Sequence, residues 1–242
     1  MLEKEDFYTV LTNAVSRCGK PSDISAEVWG DITAKAAPRA VPGDRGASAS
    51  PISNLAELAE RVKGCTACEL RGQCTQTVFG EGASDAELMF IGEGPGGDED
   101  RIGRPFVGNA GQLLDKMITA MTFSREEVYI ANVVKCRPPG NRAPLPEEVA
   151  ACMGYLERQI ELVAPKTIVL LGATPLRHLL GLEGIKRHRG NYLEYKGIPV
   201  MPTFHPAYLL YVKNDQEDKR LVWNDLKQVM RFLGRTPKAA AK

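Results

Sequence analysis

The sequence predicts an α/β protein built on a mostly parallel sheet. Three observations lead there. Short apolar runs alternate with amphipathic helical patterns, and no internal repeat is present. One run, Ile168 to Leu171, is apolar at every position, as suits a central strand buried on both faces. The glycine-rich stretch from Ile91 to Gly111 lies between an apolar strand and an amphipathic helix, where open α/β sheets place their ligands.

Composition sets the bounds. A chain of 242 residues can bury a full core, and 43% hydrophobic with 25% charged residues is globular. A net charge of +1 advertises no global nucleic-acid surface, so any such surface must be local. No apolar run approaches the roughly 18 residues of a membrane span. The first residues, Met1 to Asp6, are acidic and unlike a secretory signal. The expected protein is cytoplasmic and free of membrane. There its six cysteines favour metal or free thiols over disulfides.

In chain order, residues 1–20 carry a helical pattern (Phe7, Val10, Leu11, Val15), and residues 37–51 read as a small, proline-rich linker. Residues 1–51 are therefore an extension, 52–236 the domain and 237–242 a basic tail. Asn54 with Glu57 starts a helix that runs into Cys65-Thr66-Ala67-Cys68. Candidate strands follow at Thr77–Phe79, Leu88–Gly92, Val128–Val134 and Lys166–Gly172. Leu113, Leu114, Met117 and Ile118 mark the helix after the glycine-rich loop. Pro146 with Glu147 and Glu148 opens a helix to about Val163 that carries Cys152. A short helix at Pro175–Leu180 precedes a basic loop, Lys186 to Gly190. Tyr192–Tyr195 and Ile198–Pro202 read as a hairpin or consecutive strands around Lys196-Gly197, and a helix over Asp218–Leu233 closes the chain.

Glu93, Asn132 and His205 each fall at the end of a candidate strand. In a parallel sheet those ends share one rim, which brings a carboxylate, an amide and an imidazole to a glycine-floored pocket beside Phe106. Each residue alone has an ordinary reading: a locally hydrogen-bonded polar group, or a core phenylalanine. Cys65, Cys68, Cys136 and Cys152 form a possible all-thiolate set for zinc or an iron–sulfur cluster. Spacing alone leaves the metal and its identity open, since Cys136 and Cys152 would also serve as small core residues. Cys18 and Cys74 look uncommitted.

These residues carry a recognisable pattern. Gly92-Glu93-Gly94-Pro95-Gly96, Glu99-Asp100 and Gly103 to Gly111 resemble the first motif of family 4 uracil-DNA glycosylases. Ala131 to Pro139 resembles the second motif and His205 to Leu210 the third, in the right order over about residues 54–234. The resemblance implies a three-layer α/β/α fold with a four-stranded, mainly parallel central sheet. It implies a structural [4Fe–4S] cluster on Cys65, Cys68, Cys136 and Cys152, and uracil-containing DNA as substrate of a monomeric, monofunctional glycosylase. Glu93 and His205 become the catalytic pair, with Gly92, Gly94, Glu99, Phe106 and Asn132 around the base. Lys186, Arg187 and Arg189 become phosphate contacts, and Pro206, Ala207 and Tyr208 a minor-groove element, with Lys135 and Arg137 flanking the pocket. A non-catalytic iron–sulfur nucleic-acid-binding protein would need Glu93, Asn132 or His205 replaced, and none is. A related branch that traps uracil-DNA covalently uses a histidine on an insertion after the second strand. Here the segment from Asn132 to Cys152 is short and has no histidine.

Overall fold

The structure, a computed structural model, describes residues 52–211 and 215–236. The expected extension and basic tail lie outside the described residues. The first element, helix α1 (Leu55–Lys63), starts where Asn54 Oδ1 accepts the Glu57 N–H at 2.9 Å and the Glu57 carboxylate accepts the Ser53 N–H at 2.8 Å. This reciprocal cap satisfies donors that a helix start leaves unpaired. The helix buries Leu58 and Val62 against Ile52 and Tyr155.

The sheet contains β1 (Glu81–Gly82), β2 (Leu88–Gly92), β3 (Tyr129–Asn132), β4 (Thr167–Leu171), β5 (Leu193–Tyr195) and β6 (Ile198–Thr203). Their spatial order is β1-β3-β2-β4-β6-β5. The four inner strands are parallel, and β1 and β5 close the edges antiparallel. The α/β class is as expected, but the sheet has six strands rather than four, with the four inner ones parallel.

Side-chain alternation along the inner strands fills two cores. Leu88, Phe90, Val169 and Leu171 enter one, packed by α3 (Asn109–Ala120) and α8 (Asp215–Phe232). Met89, Ile91, Ile168 and Leu170 enter the other, packed by α4 (Pro146–Val163) and α5 (Ala173–Leu180). A strand buried on both faces needs apolar residues in both registers, which explains the unbroken run in β4. The result is three layers, α/β/α. Among the described residues no helix is long and apolar enough to cross a membrane.

Several boundaries differ from expectation. Thr77–Phe79 is not a strand: Val78 donates one bond to the Lys135 carbonyl, at 2.7 Å. The edge strand is β1, and a Cβ at Gly82, with φ +128°, would overlap the Val128 carbonyl. The glycine-rich stretch contains an unforeseen helix, α2 (Gly97–Ile102), and residues expected as a basic loop form α6 (Ile185–His188). Helix α7 (Pro206–Tyr211) follows His205 at once. The β5–β6 turn has positive φ at both Lys196 (50°) and Gly197 (84°), the tight hairpin geometry that matches strand twist. Because Leu170 is fully buried in the central strand, Leu170→Ala should cost about 2–5 kcal/mol. A urea melt showing less than ~1 kcal/mol would contradict this packing.

Candidate active site and thiol site

The parallel register of β2 and β3 sets Gly92 beside Asn132. A Cβ at Gly92 would collide with Asn132 Oδ1 and stand 2.5 Å from Phe106 Cζ. Only glycine lets the amide and the ring both approach the strand this closely. Asn132 is 2% exposed, and its Oδ1 has no hydrogen-bond partner. A buried amide oxygen without a partner costs about 1–3 kcal/mol, so the fold keeps it there at a loss.

Phe106 is buried with φ +52°, an uncommon backbone for a bulky residue. Its surroundings hold it. A Cβ at Gly111 would fall on the Phe106 carbonyl, so α3 seats directly against this backbone. Arg125 donates to the Pro105 carbonyl and pairs with Asp115 and with Glu81, the latter at 2.6 Å. Glu99 accepts the N–H groups of Gly96 at 3.0 Å, Val107 at 2.8 Å and Gly108 at 2.9 Å. Its carboxylate is occupied by the loop and closes it, which corrects the expectation of a base contact. Asp100 likewise accepts from Thr75 and pins the segment after Cys74.

The Phe106 and His205 rings lie 5.6 Å apart. His205 Nδ1 accepts the Ala207 N–H at 3.1 Å, so in the neutral imidazole Nε2 carries the proton. Burial pushes the His205 pKa down to about 4, with Glu99 opposing the shift weakly. Gly172, at φ +95°, passes close beneath it: a Cβ there would sit 3.1 Å from His205 Cβ. The chain then enters α5, where the Thr174 hydroxyl donates to Glu93 Oε2. Gly94 follows Glu93 under Val134, where a Cβ would meet Val134 Cγ2 at 2.8 Å. Gly92, Asn132 and Phe106 therefore meet at the carboxyl rim, His205 lies beside Phe106, and Glu93 is fixed next to Gly92 by Thr174. Thr174 and Arg125 carry no motif of their own, and only their partners in space reveal them.

The proposed DNA-contact residues divide. Lys186 and Arg187 are exposed on α6. Arg189 is not available to phosphate: it pairs with buried Asp225, donates to the Leu221 carbonyl at 2.8 Å and lies over the Phe204 ring. Lys135 is fully buried and so does not flank the pocket mouth. Pro206 is buried, the Tyr208 hydroxyl donates to Asp218 at 3.1 Å, and Leu209 is in the core. On α7, Ala207 and Tyr211 share a face by their four-residue spacing, and Tyr211 is 81% exposed.

The thiols gather below the rim. Cys65, Cys68, Cys136 and Cys152 line one cavity with Leu70 and Tyr155, and none is in a disulfide. They come from the end of α1, the turn after it, the segment after β3, and α4. Burial pushes the Cys136 thiol up strongly, and that of Cys152 to about 11. Cys74, uncommitted by sequence, packs into the same core as Cys136, and its thiol donates to the Arg71 carbonyl at 3.7 Å. Among the described residues no three His, Cys, Asp or Glu side chains are set to hold a single metal ion. Four soft donors spaced around a common hollow fit an iron–sulfur cluster, whose irons each take one thiolate.

A three-layer α/β/α sheet with this cluster at its rim defines a class of protein: the uracil DNA glycosylase superfamily, whose family model matches residues 79–227. Within that superfamily the chain belongs to the type-4 uracil-DNA glycosylases. It is 48% identical over 179 residues to the type-4 uracil-DNA glycosylase of Thermotoga maritima, covering 73% of this chain and 93% of that one. It is 42% identical over 197 residues to that of Sulfurisphaera tokodaii (77% and 88% covered). With that of Archaeoglobus fulgidus it shares 40% over 193 residues (76% and 96%).

The His205 shift has a sign that can be checked. Its folded pKa lies below the unfolded value near 6.5, so the unfolded chain binds the extra proton first. The stability that neutral His205 contributes is complete above about pH 6.5 and is lost as pH falls toward about 4. An NMR titration should find the folded ring neutral at pH 6, and an ordinary midpoint near 6.5 would contradict its burial.

Proposed function

We propose that this chain hydrolyses the N-glycosidic bond of uracil in DNA, leaving an abasic site. The observation that carries the reading is the unpartnered Asn132 Oδ1 against Gly92 and Phe106, with the His205 ring next to that of Phe106; together they make the base-reading slot. A uracil flipped from the stack is flat, and Phe106 stacks on its face. Asn132 Oδ1 accepts from N3–H while Nδ2 donates to O4. Cytosine presents the reverse pattern at both atoms and leaves the buried amide mispaired, at about 1–3 kcal/mol. Gly92 and Gly94 let main-chain N–H groups approach the base.

Bond cleavage puts negative charge on the departing base and positive character on the sugar. His205, neutral and protonated at Nε2, donates to the uracil O2 as that charge develops. A neutral donor fixed by the Ala207 N–H needs no proton transfer to act. Glu93, oriented by Thr174, supplies the anion that steadies the sugar cation and positions water.

In this reading DNA is gripped through phosphates by Lys186 and Arg187. Ala207 and Tyr211 are the face that α7 offers to a duplex. The thiols of Cys65, Cys68, Cys136 and Cys152 hold a [4Fe–4S] cluster. The cluster supplies a cross-link between distant segments rather than a reacting group.

The test is single-turnover release of uracil from a labelled oligonucleotide beside a thymine control, with iron and sulfide assayed on the same protein. The wild type should release uracil and spare thymine. His205→Ala should lose about 10²–10³ in rate while still binding DNA. Asn132→Ala should slow uracil release by about tenfold or more, the value of one buried hydrogen bond. Full rates in both variants would sink the assignment.

A further inference from the structure

Lys135 is absorbed by neither the base-reading slot nor the DNA surface, although it sits three residues from Asn132 and beside Cys136. It is 1% exposed. Its Nζ donates to the Asn132 carbonyl at 2.8 Å and to Gln159 Oε1 at 2.5 Å, both neutral acceptors. Gln159 is itself held, since its Nε2 donates to the Phe79 carbonyl at 2.9 Å and to the Tyr129 hydroxyl at 3.0 Å. The Lys135 main-chain N–H points the other way, to Cys152 Sγ at 3.3 Å.

No carboxylate pairs with this ammonium among the described residues. A buried cation without a counter-ion is strongly disfavoured. The thiol site adjoins it through the main chain: the Lys135 N–H reaches Cys152 Sγ, and the next residue is Cys136. Four thiolates on a cluster carry net negative charge into a buried site and meet the same penalty from the other side. One lysine therefore answers two needs, and its Nζ is bonded to the main chain of the residue that reads the base.

We propose that Lys135 is a positioning residue joining the thiol site to the base-reading slot: its ammonium offsets the charge of the cluster, and its Nζ fixes the Asn132 main chain. The inference rests on the cluster reading above. It predicts that the reduction potential of the cluster and the recognition of uracil both depend on this side chain, since net charge and hydrogen bonds near the sulfurs set such potentials.

The test compares purified holoenzyme with Lys135→Met and Lys135→Arg by redox titration of the bound cluster and by KM and kcat on uracil-DNA. With Met, the potential should move negative, and KM should rise about tenfold, as for one lost hydrogen bond, with a smaller change in kcat. Arg, which keeps the charge, should bring the potential back toward wild type. Loss of the cluster from the Met protein alone, with the Arg protein loaded, also supports the proposal. A loaded Met protein with wild-type potential and wild-type KM overturns it. If Met does not fold, Lys135→Gln gives the same reading, because it loses the charge and keeps a polar chain. Wild-type protein without iron or sulfide overturns the cluster reading itself, and this inference with it.

Discussion

The site depends on one close approach: the end of β2 against the end of β3, where Gly92 leaves room between the Asn132 amide and the Phe106 ring. Parallel pairing makes it possible, because adjacent parallel strands end on the same rim. The two cores make it rigid, since each inner strand is buried on both faces and cannot slip without turning apolar side chains into the wrong layer. The unpartnered Asn132 Oδ1 is tolerated because the surrounding fold is this strongly determined.

Around that contact the loop is held by its own charges. Glu99 gathers three backbone N–H groups, Arg125 holds the Pro105 carbonyl, and α3 presses on the Phe106 backbone at Gly111. Together they keep Phe106 in a left-handed conformation that an isolated chain would leave. Acidic residues in the first motif are thus divided by what they touch. Glu93 meets a single hydroxyl and stays beside the slot, while Glu99 and Asp100 are occupied by main chain.

The sheet class and its parallel core were legible because alternation and unbroken apolar runs report burial directly, as in β2 and β4. Asn132 and His205 were legible because strand ends converge in such a sheet. Short edge elements were not: β1 is two residues, one of them the positive-φ Gly82, right after the positive-φ Gly80, with no periodicity to read. Side-chain direction was hidden as well. Arg189 looks like its neighbours Lys186 and Arg187 in sequence, yet Asp225, far along the chain, turns it inward. Lys135 looks like a pocket-rim cation, but β3 ends before it and leaves it inside. Cys74 sits outside the matching motif spacing and still packs into the core that holds Cys136.

The central claim is that Asn132 reads the N3–H edge of uracil. The most direct measurement compares free uracil with N3-methyluracil as inhibitors of uracil release. A methyl group at N3 removes the donor and fills the space in front of Oδ1. The account predicts inhibition by uracil and a loss of at least about tenfold with the methylated base. Equal inhibition by the two would mean that the buried amide does not face the base, and the assignment of this slot would fall.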